Sequence, residues 1–406
     1  MLFARPVRAL LAATLAVGSI ATLWLLVPDD ARAARGLELG IQDDALFVQG
    51  NKRWGGDRSF QYAKAIGVTR IRVNLLWAWT MPSPQAGARR KPDRIDYNFT
   101  QIDDLIDRAK RHGIRVHLTL TGPSPRWANA RKSTSRSWYK PNPRWFGEFA
   151  GVAAKHFKGR VDRYSIWNEP NWETWLGPLD AAPALYREMY MFGYTAIKRA
   201  DRKAKVLIGE TSPYGRPGMS TSPLAFLRKV TCVNRKYRRK GGCPRMKADG
   251  YAHHPYDFAH PPGYRYPGGD NVTLGTLSRL TRALDRLKRS GALRFNGGGR
   301  MPIYLTEYGY FASGHRALSA RKRARYLQKA YTIALKNPRV KGHIQYLLLT
   351  LPRNSGSTFN TGLVSGTGGR LSQYNALARW YRAHRGKVRR PGRALRLPAR
   401  KANPTL

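Results

Sequence analysis

Short apolar runs alternate with longer amphipathic stretches along most of this 406-residue chain. In one of the longer stretches, Ile102, Leu105, Ile106 and Ala109 repeat at helical spacing before a stop at Gly113. Another repeats leucine at positions 274, 277, 280, 284 and 287. The short apolar runs predict eight β-strands, at 37–41, 69–75, 115–120, 163–167, 205–209, 250–253, 303–306 and 343–348.

Repeated strand–helix units with nearly continuous apolar strands are typical of a parallel sheet covered by helices on both faces. Eight such units favour an α/β protein whose sheet closes into a (β/α)₈ TIM barrel rather than an open doubly wound sheet. Residues 40–44, after the first run, lack the glycine-rich loop of dinucleotide-binding proteins. We therefore predict a single barrel domain over residues 37–384.

The first 33 residues are typical of an export signal. Arg5 and Arg8 precede an uncharged stretch over 9–27, and Ala31-Arg32-Ala33 offers a small-residue cleavage site. Because the stretch is close to the roughly 20 residues that span a bilayer, an uncleaved membrane anchor is the alternative. Both interpretations place the barrel outside the cytoplasm, secreted or at the cell surface.

The chain has two cysteines, Cys232 and Cys243. In an exported protein we expect them to form one local disulfide, with two free thiols as the alternative. Two cysteines supply only half of a tetrahedral zinc shell, so no metal site is predicted from them.

Lysine and arginine outnumber aspartate and glutamate by 73 to 24, giving a net charge of +49. The charge is spread along the chain without a nucleic-acid-binding signature, so nucleic acid is not the predicted partner. An anionic cell-surface polymer is the partner we expect for the basic surface and tail, and a compositional bias without a binding role is the alternative. The tail over 385–406 is the densest basic segment and is predicted to be disordered.

Two glutamates follow apolar runs in matching positions. Glu169 lies in Trp167-Asn168-Glu169-Pro170 after the fourth predicted strand, and Glu307 follows the seventh. A carboxylate at the end of a buried strand is costly to desolvate and adds little to packing. In a barrel, residues past the carboxyl ends of the strands meet at one mouth. The pair therefore predicts acid/base and nucleophilic chemistry on a sugar.

At these residues the chain resembles the clan A retaining glycoside hydrolases, a group of (β/α)₈ enzymes that includes family ten and the cellulase-like families five and thirty-nine. The resemblance implies that Glu169 is the general acid/base and Glu307 the nucleophile. It implies a glycosidase that cleaves β-linked O-glycosyl bonds of an oligo- or polysaccharide, in polysaccharide catabolism or remodelling of extracellular glycans. Neither a cofactor nor a metal is implied.

Other segments extend the resemblance. His253-His254-Pro255-Tyr256 is similar to the segment that supplies an active-site histidine and tyrosine, which implies His254 and Tyr256. Arg72 lies where the clan carries an arginine near the nucleophile, and Asn168 is suited to bind the 2-hydroxyl. Strand eight departs from several members, because it offers Tyr346 in place of a tryptophan.

Aromatic residues cluster in the loops that would surround the mouth. Sugar rings pack their C–H faces on indoles and phenols. Trp77, Trp127, Trp172 and Tyr308 are therefore predicted to contact substrate, with ordinary loop packing as the alternative for each. The alternative function is a non-catalytic cell-surface protein that binds carbohydrate or an anionic polymer on a barrel scaffold.

Overall fold

The computed structural model describes residues 36–49, 54, 57–82, 91–350 and 359–392. Its eight main strands are β1 Glu38–Gln42, β2 Arg70–Leu76, β3 Arg115–Thr121, β4 Arg163–Ile166, β5 Lys205–Thr211, β6 Tyr251–His253, β7 Ile303–Tyr308 and β8 Val340–Tyr346. They close into one parallel barrel in the order β1-β8-β7-β6-β5-β4-β3-β2. The predicted (β/α)₈ fold is confirmed.

One main helix follows each strand and covers the outside of the barrel. The helices are α1 Arg58–Ala65, α2 Thr100–Arg111, α3 Pro143–His156, α4 Ala182–Ala200, α5 Pro223–Val230, α6 Leu277–Arg289, α7 Ala320–Lys336 and α8 Ser372–His384. Two short strands, Met246–Ala248 and Leu293–Phe295, pair with each other outside the barrel.

The residues of the two predicted helical repeats are buried on helices, with one exception. Ile102, Leu105, Ile106 and Ala109 are all buried on α2. The leucines from position 277 onward are buried on α6, whereas Leu274 begins a separate 3₁₀ turn before that helix. An apolar repeat thus predicts that a helix is present more reliably than it predicts the residue at which the helix begins. A turn before the helix can bury a residue that fits the same repeat.

Strand β8 begins and ends earlier than the predicted run over 343–348. Leu347 has a φ of 63°, so the extended backbone cannot continue past Tyr346. The amides of Leu348 and Leu349 instead donate to the carboxylate of Asp43, at 3.2 and 2.9 Å. The last apolar residues of the run therefore leave the strand and bond to the segment after β1 rather than extend the sheet.

The amino-terminal end of the barrel interior is closed by ion pairs. Arg70 Nε lies 2.9 Å from Glu38 Oε2, and Arg163 donates to the same carboxylate. Arg70 also contacts Asp162, with 2.7 Å between Nη1 and Oδ1. Burial raises the pKa of Glu38, but Arg163 and Arg70 outweigh it and hold that pKa well below its usual range. This closed end leaves the opposite, carboxyl-terminal end as the mouth.

The predicted disordered tail is partly wrong, because residues 385–392 lie against the barrel. Val388 pairs with Leu37, and the amide of Arg389 donates to the Leu37 carbonyl at 3.0 Å. The amide of Gly392 donates to the Gly113 carbonyl at 3.0 Å. Backbone pairing with the start of β1 outweighs the charge of this segment. The rest of the predicted tail, from residue 393, lies outside the described residues.

The predicted signal or anchor over 1–33 also lies outside the described residues. Among the residues that are described, no helix is both long and apolar enough to cross a bilayer. Cys232 and Cys243 are joined by a disulfide that closes the loop after α5.

Candidate active site

The two predicted catalytic glutamates meet at the barrel mouth. Glu169 lies just past β4 and Glu307 lies near the end of β7. A carboxylate oxygen of one lies within 4.8 Å of a carboxylate oxygen of the other. Their side chains are 18% and 9% exposed, so solvent reaches both. The fold thus brings together acids that are far apart in the sequence.

His254, directly after β6, lies between three carboxylates. Its Nδ1 is 2.9 Å from Glu169 Oε1 and 3.6 Å from Glu307 Oε2, while its Nε2 is 2.8 Å from Glu210 Oε2. Burial lowers the pKa of His254, but Glu307, Glu169 and Glu210 together raise it to about 9. At neutral pH the ring is therefore an imidazolium that donates from both nitrogens.

Arg72, on β2, is the second cation beneath the pair. Its Nη1 donates to Glu307 Oε1 at 2.7 Å, and its Nη2 donates to Asn168 Oδ1 at 2.8 Å and to Glu210 Oε2 at 3.1 Å. Gln42 accepts a further hydrogen bond from Nη1. The planar guanidinium thereby fixes the ends of four other strands, β1, β4, β5 and β7, relative to one another. The side-chain oxygen of Asn168 accepts a hydrogen bond from Arg72. The side-chain N–H groups of Asn168 therefore remain to donate to another partner.

The surroundings of Glu307 act on its charge in opposite directions. Tyr256 donates its hydroxyl to Glu307 Oε2 at 3.1 Å. Burial raises the pKa of Glu307, and His254 and Arg72 lower it, with a net rise above the usual value. The donors are in place, but they only partly offset its burial.

Glu210, on β5, is the central residue that sequence reasoning missed. Its Oε2 accepts from His254, from Arg72 and from Thr306 Oγ1, the last at 2.6 Å. Burial raises the pKa of Glu210, but Arg72 and His254 lower it well below its usual range, so the side chain is ionised. The signal was present in the sequence: Glu210 follows the apolar run 205–209 just as Glu169 and Glu307 follow theirs.

The backbone at this level of the barrel is strained. Trp167, Glu169 and Glu210 have φ values of 60°, 39° and 50°, in the left-handed region that non-glycine residues rarely occupy. Each such residue costs about 1–3 kcal/mol. The amide of Glu169 donates to the Glu210 carbonyl at 2.9 Å, and that of Trp167 donates to the Leu120 carbonyl at 2.8 Å. These bonds hold the turn that directs Glu169 into the mouth.

Two of the predicted sugar contacts are wrong. Trp77 is fully buried and stacks on Phe149, with 5.5 Å between ring centroids. Its position in the 3₁₀ turn Trp77–Thr80 directs it inward and leaves its neighbour Trp79 65% exposed. Tyr308 is also buried, because its hydroxyl donates to Tyr310 and its ring packs on His343.

The other two predicted tryptophans are partly exposed. Trp127 packs on Trp77 and Trp145, with centroid distances of 5.8 and 5.3 Å. Trp172 lies in the loop that carries Glu169, and its amide donates to the Glu169 carbonyl at 2.9 Å. Trp172 is therefore the predicted aromatic that the backbone ties directly to the carboxylate pair.

An aromatic cluster around Phe359, a residue that the sequence did not single out, lies on the Glu307 side of the mouth. The ring of Phe359 is 5.5 Å from Tyr256, 5.3 Å from Phe258 and 5.3 Å from Tyr346. Phe311 packs on Phe258 at 4.5 Å. These rings come from the end of β8 and from the loops after β6, β7 and β8. Tyr346, which stands where several clan A enzymes carry a tryptophan on strand eight, belongs to this cluster.

Glu169, His254 and Glu307 place three possible metal-ligand atoms within 4.8 Å of one another. A metal needs the lone pair of a neutral imidazole. Both nitrogens of His254 face carboxylates, and the raised pKa of about 9 keeps them protonated at neutral pH. The trio is therefore better described as an ion-pair cluster than as a metal site.

Comparison with known proteins places the fold among glycoside hydrolases. No family model matches the chain. A curated relative, Beta-glucosidase 47 of Arabidopsis thaliana, is 31% identical over 127 residues, which are 31% of this chain and 22% of that protein. The chain therefore matches less than a quarter of the length of this relative.

Solved structures are similar over most of the chain. A family 39 glycoside hydrolase from Bacteroides cellulosilyticus WH2 has a TM-score of 0.61 at 19% identity, covering 86% of this chain and 64% of that one. Native xylanase 10B from Thermotoga maritima has a TM-score of 0.54 at 17% identity, covering 87% and 97%. At such low identity the similarity concerns the fold. The chain has the (β/α)₈ barrel found in these glycoside hydrolase structures.

Proposed function

We propose that the protein is a glycosidase that hydrolyses β-linked O-glycosyl bonds of an oligo- or polysaccharide with retention of configuration. The observation that carries the proposal is the separation of Glu169 and Glu307, whose nearest oxygens lie within 4.8 Å at the open mouth. Retaining enzymes hold their carboxyl groups about 5–5.5 Å apart, whereas inverting enzymes hold them about 6.5–9.5 Å apart to admit a water.

In the first step an oxygen of Glu307 attacks the anomeric carbon while the glycosidic C–O bond breaks. Glu169 transfers its proton to the departing oxygen, so the leaving sugar departs as a neutral alcohol. In the second step Glu169 takes a proton from water, the water oxygen bonds to the anomeric carbon, and the ester to Glu307 breaks. Both glutamates return to their starting states.

The cations beneath the pair suit these two steps. Arg72 and His254 lie against Glu307 and favour its carboxylate form, which is both the attacking group and the leaving group. The N–H groups of Asn168 are donors for the 2-hydroxyl, a contact that strengthens as positive charge develops at the anomeric carbon. Trp172, beside Glu169, and the aromatic cluster around Phe359, beside Glu307, offer apolar faces on which sugar rings can pack.

The test is turnover on a panel of aryl β-glycosides and β-linked polysaccharides, with NMR to record the configuration of the first product. We expect Glu169→Gln and Glu307→Gln each to lower kcat by about 10²–10⁴-fold or more. An activated fluorosugar should label Glu307. Near-full activity of either variant on a β-linked polysaccharide, or a first product of inverted configuration, would overturn the assignment.

The exported location belongs to the same proposal, since β-linked polysaccharides lie outside the cytoplasm. Its support is the composition of residues 1–33. Fractionation of expressing cells, with mass spectrometry of the mature amino terminus, distinguishes a cleaved signal at Ala33 from a retained anchor. Recovery of the intact chain from the cytoplasm would contradict export.

A non-catalytic binding protein is the outcome in which glycans bind but no panel member is cleaved. The ionised, hydrogen-bonded arrangement around the glutamate pair supports catalysis over binding alone, because a neutral glycan needs no buried charge cluster for recognition.

A further inference from the structure

A second concave surface lies outside the mouth, in the groove between α5 and α6. Its volume is about 820 Å³, and we call it the basic groove. It reaches from Gly269 and Asp270, in the loop after β6, to the loop closed by the Cys232–Cys243 disulfide. Of the described residues that line it, seven are lysine or arginine, and Asp270 is the one acid.

The single acid is already neutralised. Arg228 binds the carboxylate of Asp270 bidentately, with 2.7 Å from Nη1 to Oδ1 and 2.6 Å from Nη2 to Oδ2. In the described part of the chain, no carboxylate lies within ion-pair distance of the other six cations, which are Lys229, Arg235, Lys240, Arg279, Arg282 and Arg286. The basic groove therefore has a large uncompensated positive charge.

Two of these arginines are held in place rather than free in solvent. Arg279 Nη1 donates to the carbonyls of Gly268 and Asn271, at 2.7 and 3.0 Å. Arg286 lies 5.5 Å from the ring centroid of Tyr237, which Arg228 also contacts at 5.8 Å. Burial and the neighbouring Arg265 and Arg282 lower the pKa of Arg279, as expected where like charges are crowded. Fixed donors lose less entropy when a ligand binds.

The high net charge of the whole chain does not by itself explain why the basic groove lacks free carboxylates. A larger groove between α3 and α4 also contains basic residues, and we call it the mixed groove. Its cations Arg144, Lys155, Lys158, Arg187 and Arg199 are accompanied by the acids Asp93, Glu148 and Glu188. Within one chain, two helix–helix grooves thus differ sharply in charge balance, and only the first lacks free carboxylates.

We propose that the basic groove binds an acidic polysaccharide through its carboxylate groups, independently of the catalytic pair. The guanidinium fork matches a carboxylate bidentately, and Arg228 with Asp270 shows that geometry within the groove itself. Among the described residues that line it, Tyr237 is the only aromatic, and its ring is buried under two arginines and offers no face for stacking. Nucleic acid bases would therefore lack the stacking surface that single-strand binding uses.

The position of the basic groove relative to the mouth also supports the binding proposal. The loop after β6 carries Tyr256 to the mouth and then forms the upper edge of the groove at Gly269 and Asp270. A glycan held there would keep the protein on a charged matrix while the mouth remains open to substrate. The inference goes beyond the proposed hydrolysis and does not require it.

The experiment measures binding of fluorescent oligogalacturonate to the full chain across a range of salt concentrations. We expect the triple variant R279Q/R282Q/R286Q to weaken binding about tenfold or more, because three charged contacts are lost. The matched control is K155Q/K158Q/R199Q in the mixed groove, which removes the same charge and should change affinity less than about twofold. Thermal unfolding checks that both variants fold.

A second variant, R279K/R282K/R286K, keeps the positive charge but removes the bidentate guanidinium groups. We therefore expect a loss of affinity smaller than that of the glutamine variant. Cleavage of an uncharged aryl glycoside by the basic-groove variants should match that of the parent, which separates this site from the catalytic pair. Equal weakening by the basic-groove and mixed-groove variants would overturn the proposal. So would inorganic polyphosphate or single-stranded DNA binding as tightly as oligogalacturonate with the same dependence on the three arginines.

Discussion

Glu210 holds His254 from below, with 2.8 Å between Oε2 and Nε2, while the opposite ring nitrogen of His254 contacts Glu169. A third carboxylate therefore supports the cation that lies between the candidate acid/base and the candidate nucleophile. Glu210 is completely buried and does not touch the space where a sugar would react. We regard it as a positioning residue that acts through His254.

Replacing Glu210 by glutamine should move the alkaline limb of the pH–activity profile to lower pH. A neutral amide still accepts a hydrogen bond but no longer stabilises the imidazolium, so the pKa of His254 falls from about 9. We expect kcat/KM at alkaline pH to fall about tenfold, the equivalent of one pKa unit. The pH profile and a ¹⁵N NMR titration of the imidazole measure the effect.

Thr306→Val is the control for that experiment, because it removes a hydrogen bond to Glu210 without changing charge. It should leave the alkaline limb close to that of the parent. A Glu210→Gln variant with uniformly lower activity and an unchanged profile would mean that the residue only supports the fold.

The stability of the protein should depend on His254 above neutral pH. Folding raises the pKa of His254 from 6.5 to about 9, so the folded protein keeps a proton that the unfolded chain releases between these values. The contribution of this group is complete below about pH 6.5 and is lost as the pH rises through about 9. Urea unfolding of the parent and of His254→Gln across this range isolates it. If the parent gained stability over the variant as the pH rose, the assignment would fail.

Trp77 and Trp79 should behave in opposite ways. Trp77→Ala removes a fully buried ring and should destabilise the protein by about 3–5 kcal/mol. Trp79→Ala removes a ring that is 65% exposed and should change stability by less than about 0.5 kcal/mol. Chemical denaturation measures both. A larger cost for Trp79 would contradict the orientation of the turn after β2.

Glu38→Gln should destabilise the closed end of the barrel by about 3–5 kcal/mol, because it leaves Arg70 and Arg163 buried without their shared carboxylate. Asp93→Asn, in a surface turn, is the charge-matched control and should have little effect. The midpoint of urea unfolding gives the comparison, and equal midpoints for the two variants would show that the pairs contribute nothing net.

The fold was predictable because the strands of a barrel are buried on both faces and therefore appear as apolar runs. The meeting of Glu169 and Glu307 at the mouth was predictable for a related reason, since each glutamate follows one of those runs. Glu210 satisfied the same criterion and was missed because no family pattern drew attention to it. The inward direction of Trp77 could not be predicted, because a 3₁₀ turn decides which of two neighbouring tryptophans is buried.

The pairing of Val388 with Leu37 has a practical consequence for engineering. Both described ends of the chain, at residues 36 and 392, are held on the face of the barrel opposite the mouth. A reporter or affinity handle joined at either position would project away from the mouth. Truncation between Arg385 and Gly392 would instead remove the backbone hydrogen bonds that join this segment to Leu37 and Gly113.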